Sequence, residues 1–246
     1  MLRSLNDLRN YAIHAKDGNL GTVYDFFFDD HEWVVRYLVV DTGNWLPGRK
    51  VLVAPASFSA AHWSLRRLDL DLTKEQIERS PPVAADEPVS RQLEARLSEH
   101  FAWPAYWQPH ALGPIPVYAR LNAGKQEAGG PEVRQGDPHL RSVREVTKYH
   151  IAAKDGAVGH VEDFIAEDET WTIRYIVVDT RNWLPGKRVL VAPTWIEAVK
   201  WGEGKVHVAL SRETIKGSPK FDPTVPVNRE YETRLYDYYG RPVYWE

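Results

Sequence analysis

Short apolar runs, separated by polar turn residues, fill roughly the first eighty positions of the chain and then return. Tyr11-Ala-Ile-His-Ala15, Leu20–Phe28, Trp33–Thr42, Val51–Pro55 and Ser64–Leu72 each read as a strand. Runs rich in β-branched and aromatic residues, bounded by Gly, Pro and Asp, are the strand signal. Lys16-Asp17-Gly18 predicts a tight hairpin between the first two strands, because glycine accepts positive φ there. Thr73-Lys-Glu-Gln76 predicts a capping box and a short helix that stops at Ser80-Pro81. Val89, Leu93, Leu97 and Phe101 recur every four residues, which predicts a closing helix with one apolar stripe.

The pattern is written twice at an offset of 138. Ser4–Trp107 aligns with Ser142–Trp245 without a gap, and 45 of the 104 aligned positions are identical. The second copy has strands near Tyr149–Ala153, Val158–Ala166, Trp171–Thr180, Val189–Pro193 and Lys205–Leu210, with Ser211 as a helix cap. Its closing stripe is Val227, Tyr231, Leu235 and Tyr239. Self-similarity at a fixed period marks a duplicated unit, and about 100 residues suffice for a core of its own. The expected organisation is therefore repeat 1 over residues 1–107, a linker over 108–141, and repeat 2 over 142–246. The linker carries the Gly-rich run Ala123–Gly130 and reads as flexible. The fold class expected is mainly β with short helices: two tandem small β-barrels, each with a C-terminal helical extension.

A loop pairing Phe28 with Trp33 sets the register of the long hairpin. Asp25 then faces Arg36, and in the second copy Asp163 faces Arg174. Directly opposed residues share a face, so two structural ion pairs, Asp25–Arg36 and Asp163–Arg174, are predicted.

Composition narrows the chemistry. Cysteine is absent, which removes disulfides and thiolate chemistry. Net charge is −3 and no basic run tracks a phosphate backbone, so no nucleic-acid partner is expected. No apolar run reaches the length of a spanning helix and no signal-type segment opens the chain; a soluble cytoplasmic protein is expected. The chain has nine histidines. Within the repeats none meets a histidine at its partner position, so a duplicated histidine site is excluded. Gly18-Asn-Leu-Gly21 is the G-x-x-G spacing of some RNA clamps, but it lies between strands, where turn geometry accounts for it. Asp17, Asp25 and Asp41 recur as Asp155, Asp163 and Asp179. They are a possible oxygen-ligand set for a hard cation, yet each has an ordinary role in a turn or strand. No catalytic, cofactor-binding or metal-ligating residue is assigned.

The stretch retained most closely is RYLVVDTGNWLPGRKVLVAP at 36–55, repeated as RYIVVDTRNWLPGKRVLVAP at 174–193. Residues 39–55 keep 14 of 17 positions between copies. Its ends read as strands. Its centre is a turn carrying Asp41, Asn44, Trp45 and Pro47 in one copy, and Asp179, Asn182, Trp183 and Pro185 in the other. An aromatic beside a rigid turn is a common binding anchor, so these residues form the candidate interaction surface.

Asp-Gly-x-x-Gly-x-Val-x-Asp-Phe at 17–26 and 155–164, followed by Arg-Tyr-x-Val-Val-Asp-Thr and Val-Leu-Val-Ala-Pro, resembles the PRC-barrel superfamily over roughly residues 4–82 and 142–220. The superfamily takes its name from a cytoplasmic domain of the photosynthetic reaction centre. A related barrel closes a ribosome-maturation factor. The resemblance implies a small partner-binding barrel without shared catalytic residues. The reading it supports is a non-catalytic interaction or scaffolding module with an unknown protein partner, in which the repeats pack as an internal pseudo-dimer or the chain forms a homo-oligomer. The alternatives are a ligand-binding, metal-binding or enzymatic site between the repeats, and a ribosome or RNA-maturation accessory role.

Overall fold

The structure is a computed structural model and describes residues 1–83, 89–107, 139–180 and 187–245. In chain order it runs through β1 (Leu2–Ser4), α1 (Leu5–Leu8), β2 (Ala12–Ala15), β3 (Gly18–Asp29), β4 (Val34–Asp41), β5 (Lys50–Val53), β6 (Phe58–His62) and β7 (Arg67–Leu70). Helices α2 (Lys74–Glu78) and α3 (Arg91–Phe101) close the first series. The second begins with β8 (Leu140–Ser142) and α4 (Val143–Val146). It continues through β9 (His150–Ala153), β10 (Gly156–Glu167), β11 (Ile173–Asp179), β12 (Arg188–Val191), β13 (Ile196–Lys200), β14 (Lys205–Val208), α5 (Arg212–Gly217) and α6 (Arg229–Tyr239).

The protein is mainly β, in two similar units with short helices, as the repeat predicts. Each unit holds a seven-stranded sheet. The orders are β5-β4-β3-β2-β7-β6 and β12-β11-β10-β9-β14-β13, and one further strand lies on β3 and on β10. Strands β2 and β7, like β9 and β14, run parallel; the other pairs are antiparallel. No pairing joins the two ends of either order among the described residues, so neither sheet is closed into a barrel by hydrogen bonds. Strands β6 and β13 escape the sequence reading. Their apolar residues do not alternate, and their side chains are half-buried or exposed, as befits an edge.

The Asp-Gly hairpin forms where predicted. Ala15 pairs with Gly18 and Ala153 with Gly156, which leaves Lys16-Asp17 and Lys154-Asp155 as the turn. The register of the next hairpin differs from expectation. Asp29 pairs with Val34 and Phe28 with Val35, and Asp25 faces Val39, not Arg36; likewise Asp163 faces Val177, not Arg174. Two bulges, at Tyr24 and Arg36 and again at Glu162 and Arg174, each insert an unpaired residue. A bulge re-aims its side chain. The predicted pairs Asp25–Arg36 and Asp163–Arg174 are therefore corrected. Arg36 bonds Glu32 and lies 3.8 Å from Asp29, while Arg174 lies 2.5 Å from Glu167.

The compact units do not coincide with the repeats. One unit comprises Met1–Asp7 with Val143–Glu246, the other Leu8–Ser142. Strand β1 of the first repeat pairs with β10 of the second, with Leu2 opposite Glu167 and Ser4 opposite Ile165. Strand β8 opens the second repeat but pairs with β3 of the first, with Leu140 opposite Asp29 and Ser142 opposite Phe27. The exchange is reciprocal and in the same register. The division between units thus falls within the single turn α1 and again just before α4. Both exchanged strands read Leu-Arg-Ser.

Candidate functional site

The turn from Asp41 to Gly48 is fixed at both ends. The Thr42 hydroxyl is buried and donates to the carbonyls of Leu46 at 2.9 Å and Arg49 at 2.7 Å. Asp41 accepts the Gly43 N–H at 2.9 Å, an Asx turn. The Arg49 guanidinium donates to the carbonyls of Glu78 and Ser80, each at 2.6 Å. It thereby satisfies carbonyls at the end of α2 that lack intrahelical partners. In the other unit Lys187 donates to the Lys216 carbonyl, and Thr180 donates to the Lys187 carbonyl at 2.8 Å. A Cβ at Gly21 would lie 2.0 Å from the Asp41 carbonyl oxygen, and one at Gly159 would lie 1.9 Å from that of Asp179. Only glycine admits so close an approach. The retained Asp-Thr and the second glycine of G-x-x-G are thereby explained as backbone packing.

What this anchoring leaves outward is the middle of the turn. Asn44 and Pro47 are exposed, and Trp45 is half-buried with the Lys74 ammonium 5.3 Å from its ring centroid. Asp179, the counterpart of Asp41, is fully buried. Asn182, Trp183 and Pro185 lie outside the described residues.

The retained acids serve three separate places. Asp17 accepts the Lys74 N–H at 2.9 Å and Asp155 the Arg212 N–H at 2.7 Å, so each caps the first turn of a short helix. Asp25 accepts the Ser142 hydroxyl at 2.5 Å, and Asp163 accepts the Ser4 hydroxyl and the Asn6 N–H. Burial pushes the Asp163 carboxyl up to about 6, against hydrogen bonds from Ser4, Phe164 and Asn6 that favour its charged form. Among the described residues no group of three His, Asp or Glu is arranged to hold a metal ion.

A second constellation is duplicated, and the sequence reading misses it. Glu94 on α3 is fully buried. Tyr106 donates its hydroxyl to Glu94 Oε1 at 2.7 Å, Tyr37 also hydrogen-bonds this carboxylate, and Arg91 and His139 each approach Oε2 at 3.0 Å. In the other unit Glu232 on α6 accepts from Tyr175 and Tyr244, both at 2.7 Å, with Arg229 at 3.1 Å. Arg36 stacks on Tyr106 with its guanidinium 3.8 Å from the ring centroid, and Arg174 on Tyr244 at 4.2 Å. The Arg-Tyr opening of the retained stretch is therefore used inside the molecule: the arginine clamps the C-terminal tyrosine, and the tyrosine bonds the buried glutamate. The signal is present, since Glu94/Glu232, Arg91/Arg229 and Tyr106/Tyr244 are identical at the offset of 138. The apolar stripe of the helices that carry Glu94 and Glu232 masks it.

Chemically this cluster is a fastener. Burial, followed by the charge of Glu94, raises the Tyr37 and Tyr106 phenols well above their usual range. Burial does the same for Tyr175 and Tyr244, reinforced at Tyr244 by its bond to Glu232. Phenols so shifted remain donors and give up no proton near neutral pH. The carboxylate is neutralised by arginine and pins each helix to its sheet. In the first unit it does so beside the apolar cluster of Phe27, Tyr37, Val39, Leu52, Leu97 and Leu140.

No helix among the described residues is long and apolar enough to cross a membrane. Comparison with curated proteins finds no match. Residues 2–61, a stretch that runs from β1 to β6, match the model of the PRC-barrel domain family. The second unit repeats this sheet order strand for strand. The chain carries a PRC-barrel domain over residues 2–61, with a similar β unit built from its second repeat.

Proposed function

We propose that the protein is a non-catalytic interaction module whose contact surface is the turn Asp41–Gly48 and its counterpart at 179–186. One observation carries this reading. Much of the rest of the retained stretch is used inside the molecule: Arg36, Tyr37, Asp41, Thr42 and Arg49 are all engaged in packing or hydrogen bonds. The middle of the turn carries the exposed Asn44 and Pro47, with Trp45 between them partly buried. A partly accessible tryptophan on a pre-ordered loop loses little conformational entropy on binding, which is the property of an interface anchor. The buried glutamate clusters support a scaffold role, because their tyrosines are held as hydrogen-bond donors.

The test is affinity capture with the full chain, comparing Trp45→Ala with Trp183→Ala and the double variant. Loss of the same captured protein in the double variant, at unchanged thermal stability, is the expected result. Unchanged capture by the double variant removes the turns from consideration.

A further inference from the structure

The two edges that receive β1 and β8 have the same make-up. On β10, the Ser4 hydroxyl donates to Asp163, the Asn6 N–H donates to Asp163 Oδ1 at 3.0 Å, and Arg3 Nε lies 2.6 Å from Asp168. On β3, the Ser142 hydroxyl donates to Asp25 Oδ2 at 2.5 Å, and Arg141 Nε lies 2.8 Å from Asp30. Asp25 and Asp163 occupy corresponding positions, as do Asp30 and Asp168. All four carboxylates are largely shielded from water, at 9% exposure or less. Main-chain pairing holds the incoming strand, and two placed carboxylates read its serine and its arginine. This is strand addition with side-chain readout.

In each unit the strand that is read comes from the other repeat. The edge therefore does not depend on the segment that precedes it in its own repeat. We infer that the edges of β3 and β10 are binding sites for an extended Leu-Arg-Ser peptide segment. The amino-terminal segment of a second copy of this chain fits the β10 site and produces a strand-exchanged dimer. The occupant is chosen by the carboxylates: the chain itself supplies the sequence they match, twice over. Within one chain the segment has an effective concentration in the millimolar range, so exchange between copies emerges when chains fold together at high concentration or when the internal match is broken.

Charge reversal breaks that match selectively. Arg3→Asp places a carboxylate beside Asp168, and Asp168→Arg places two guanidinium groups together, so each variant repels its own segment. Mixed and refolded together, each variant offers the segment that the other accepts. The measurement is native mass spectrometry and light scattering of each variant alone, of the mixture, and of the chain carrying both changes. The expected result is a species of twice 28.2 kDa containing one of each variant, enriched roughly tenfold over the dimer in either variant alone. The chain carrying both changes is matched internally and stays monomeric. Folded monomers of both variants in the mixture overturn the proposal. So does a mixture that stays unfolded while the chain carrying both changes folds. A mixture that folds where neither variant folds alone, and does so as the heterodimer, supports it.

Discussion

Asp163 offers a quantitative test of the exchanged strand. Its carboxyl is buried under α1, accepts N–H groups from Asn6 at 3.0 Å and Phe164 at 2.7 Å, and takes the Ser4 hydroxyl. Burial outweighs these bonds and moves its pKa from 3.8 to about 6. At about 1.4 kcal/mol per tenfold change in proton affinity, ionising this group costs about 3 kcal/mol more in the folded state than in the unfolded chain. The sign follows from the raised value. The folded state holds the proton more tightly, so the contribution is complete below pH 4 and is lost as pH rises through 6. Asp163→Asn removes the charge and keeps the shape: its amide oxygen accepts both N–H groups and its NH2 donates to Ser4. Amide exchange on β10, followed from about pH 4 to 8, should show the variant more protected than the parent at neutral pH and equal or less protected near the acid end. The difference between the two should swing by about 3 kcal/mol across that interval. A difference that does not vary with pH, or a carboxyl resonance that titrates at the ordinary aspartate value, refutes the argument.

Four further outcomes are expected. Gly21→Ala should lower the thermal midpoint through overpacking of about 1–3 kcal/mol, because its methyl would meet the Asp41 carbonyl; circular dichroism melting checks this. Glu232→Gln should cost about 1–2 kcal/mol, because the Tyr175 and Tyr244 hydroxyls then donate to a neutral acceptor while Arg229, itself half-exposed, stays solvated; urea unfolding followed through tryptophan fluorescence reads it. Asp17→Ala should cost about 1 kcal/mol through loss of the cap on α2, read in the same unfolding experiment. Trp45→Ala should cost no more than about 2 kcal/mol, since its ring is only partly buried and its contact with the Lys74 ammonium is long, at 5.3 Å; a larger loss in differential scanning calorimetry assigns Trp45 to the fold.

The strands and caps are legible in the sequence because they are local. The Asp-Gly hairpin and the Thr73–Gln76 capping box form as predicted, since turn and cap chemistry acts within four residues. The register of the long hairpin is not legible. The bulged residues Tyr24, Arg36, Glu162 and Arg174 have no composition that marks a bulge; their partners do. Lys50 sits 3.6 Å from the Tyr24 ring centroid, while Arg188 bonds Glu162 at the same place in the other unit. One copy uses a ring and the other a carboxylate to meet a cation at the same position, so the lack of identity between copies hides a retained contact. The strand exchange is invisible for a different reason. Leu-Arg-Ser is a three-residue run written at the head of both repeats, and sequence does not say which edge each copy joins. The glutamate clusters are within reach, because polar residues identical in both copies on an apolar helix face call for a buried partner.

The crossing of the chain at α1 and α4 has a consequence for genetics. Position along the sequence does not report which unit a change damages. A substitution at Arg3 or Ser4 falls on the sheet built by residues 143–246, and one at Leu140 falls on the sheet built by residues 8–142. Truncating the first seven residues is thus a lesion of the carboxy-terminal unit. Compensating changes for it should be sought around Asp163 and Asp168, roughly 160 positions downstream.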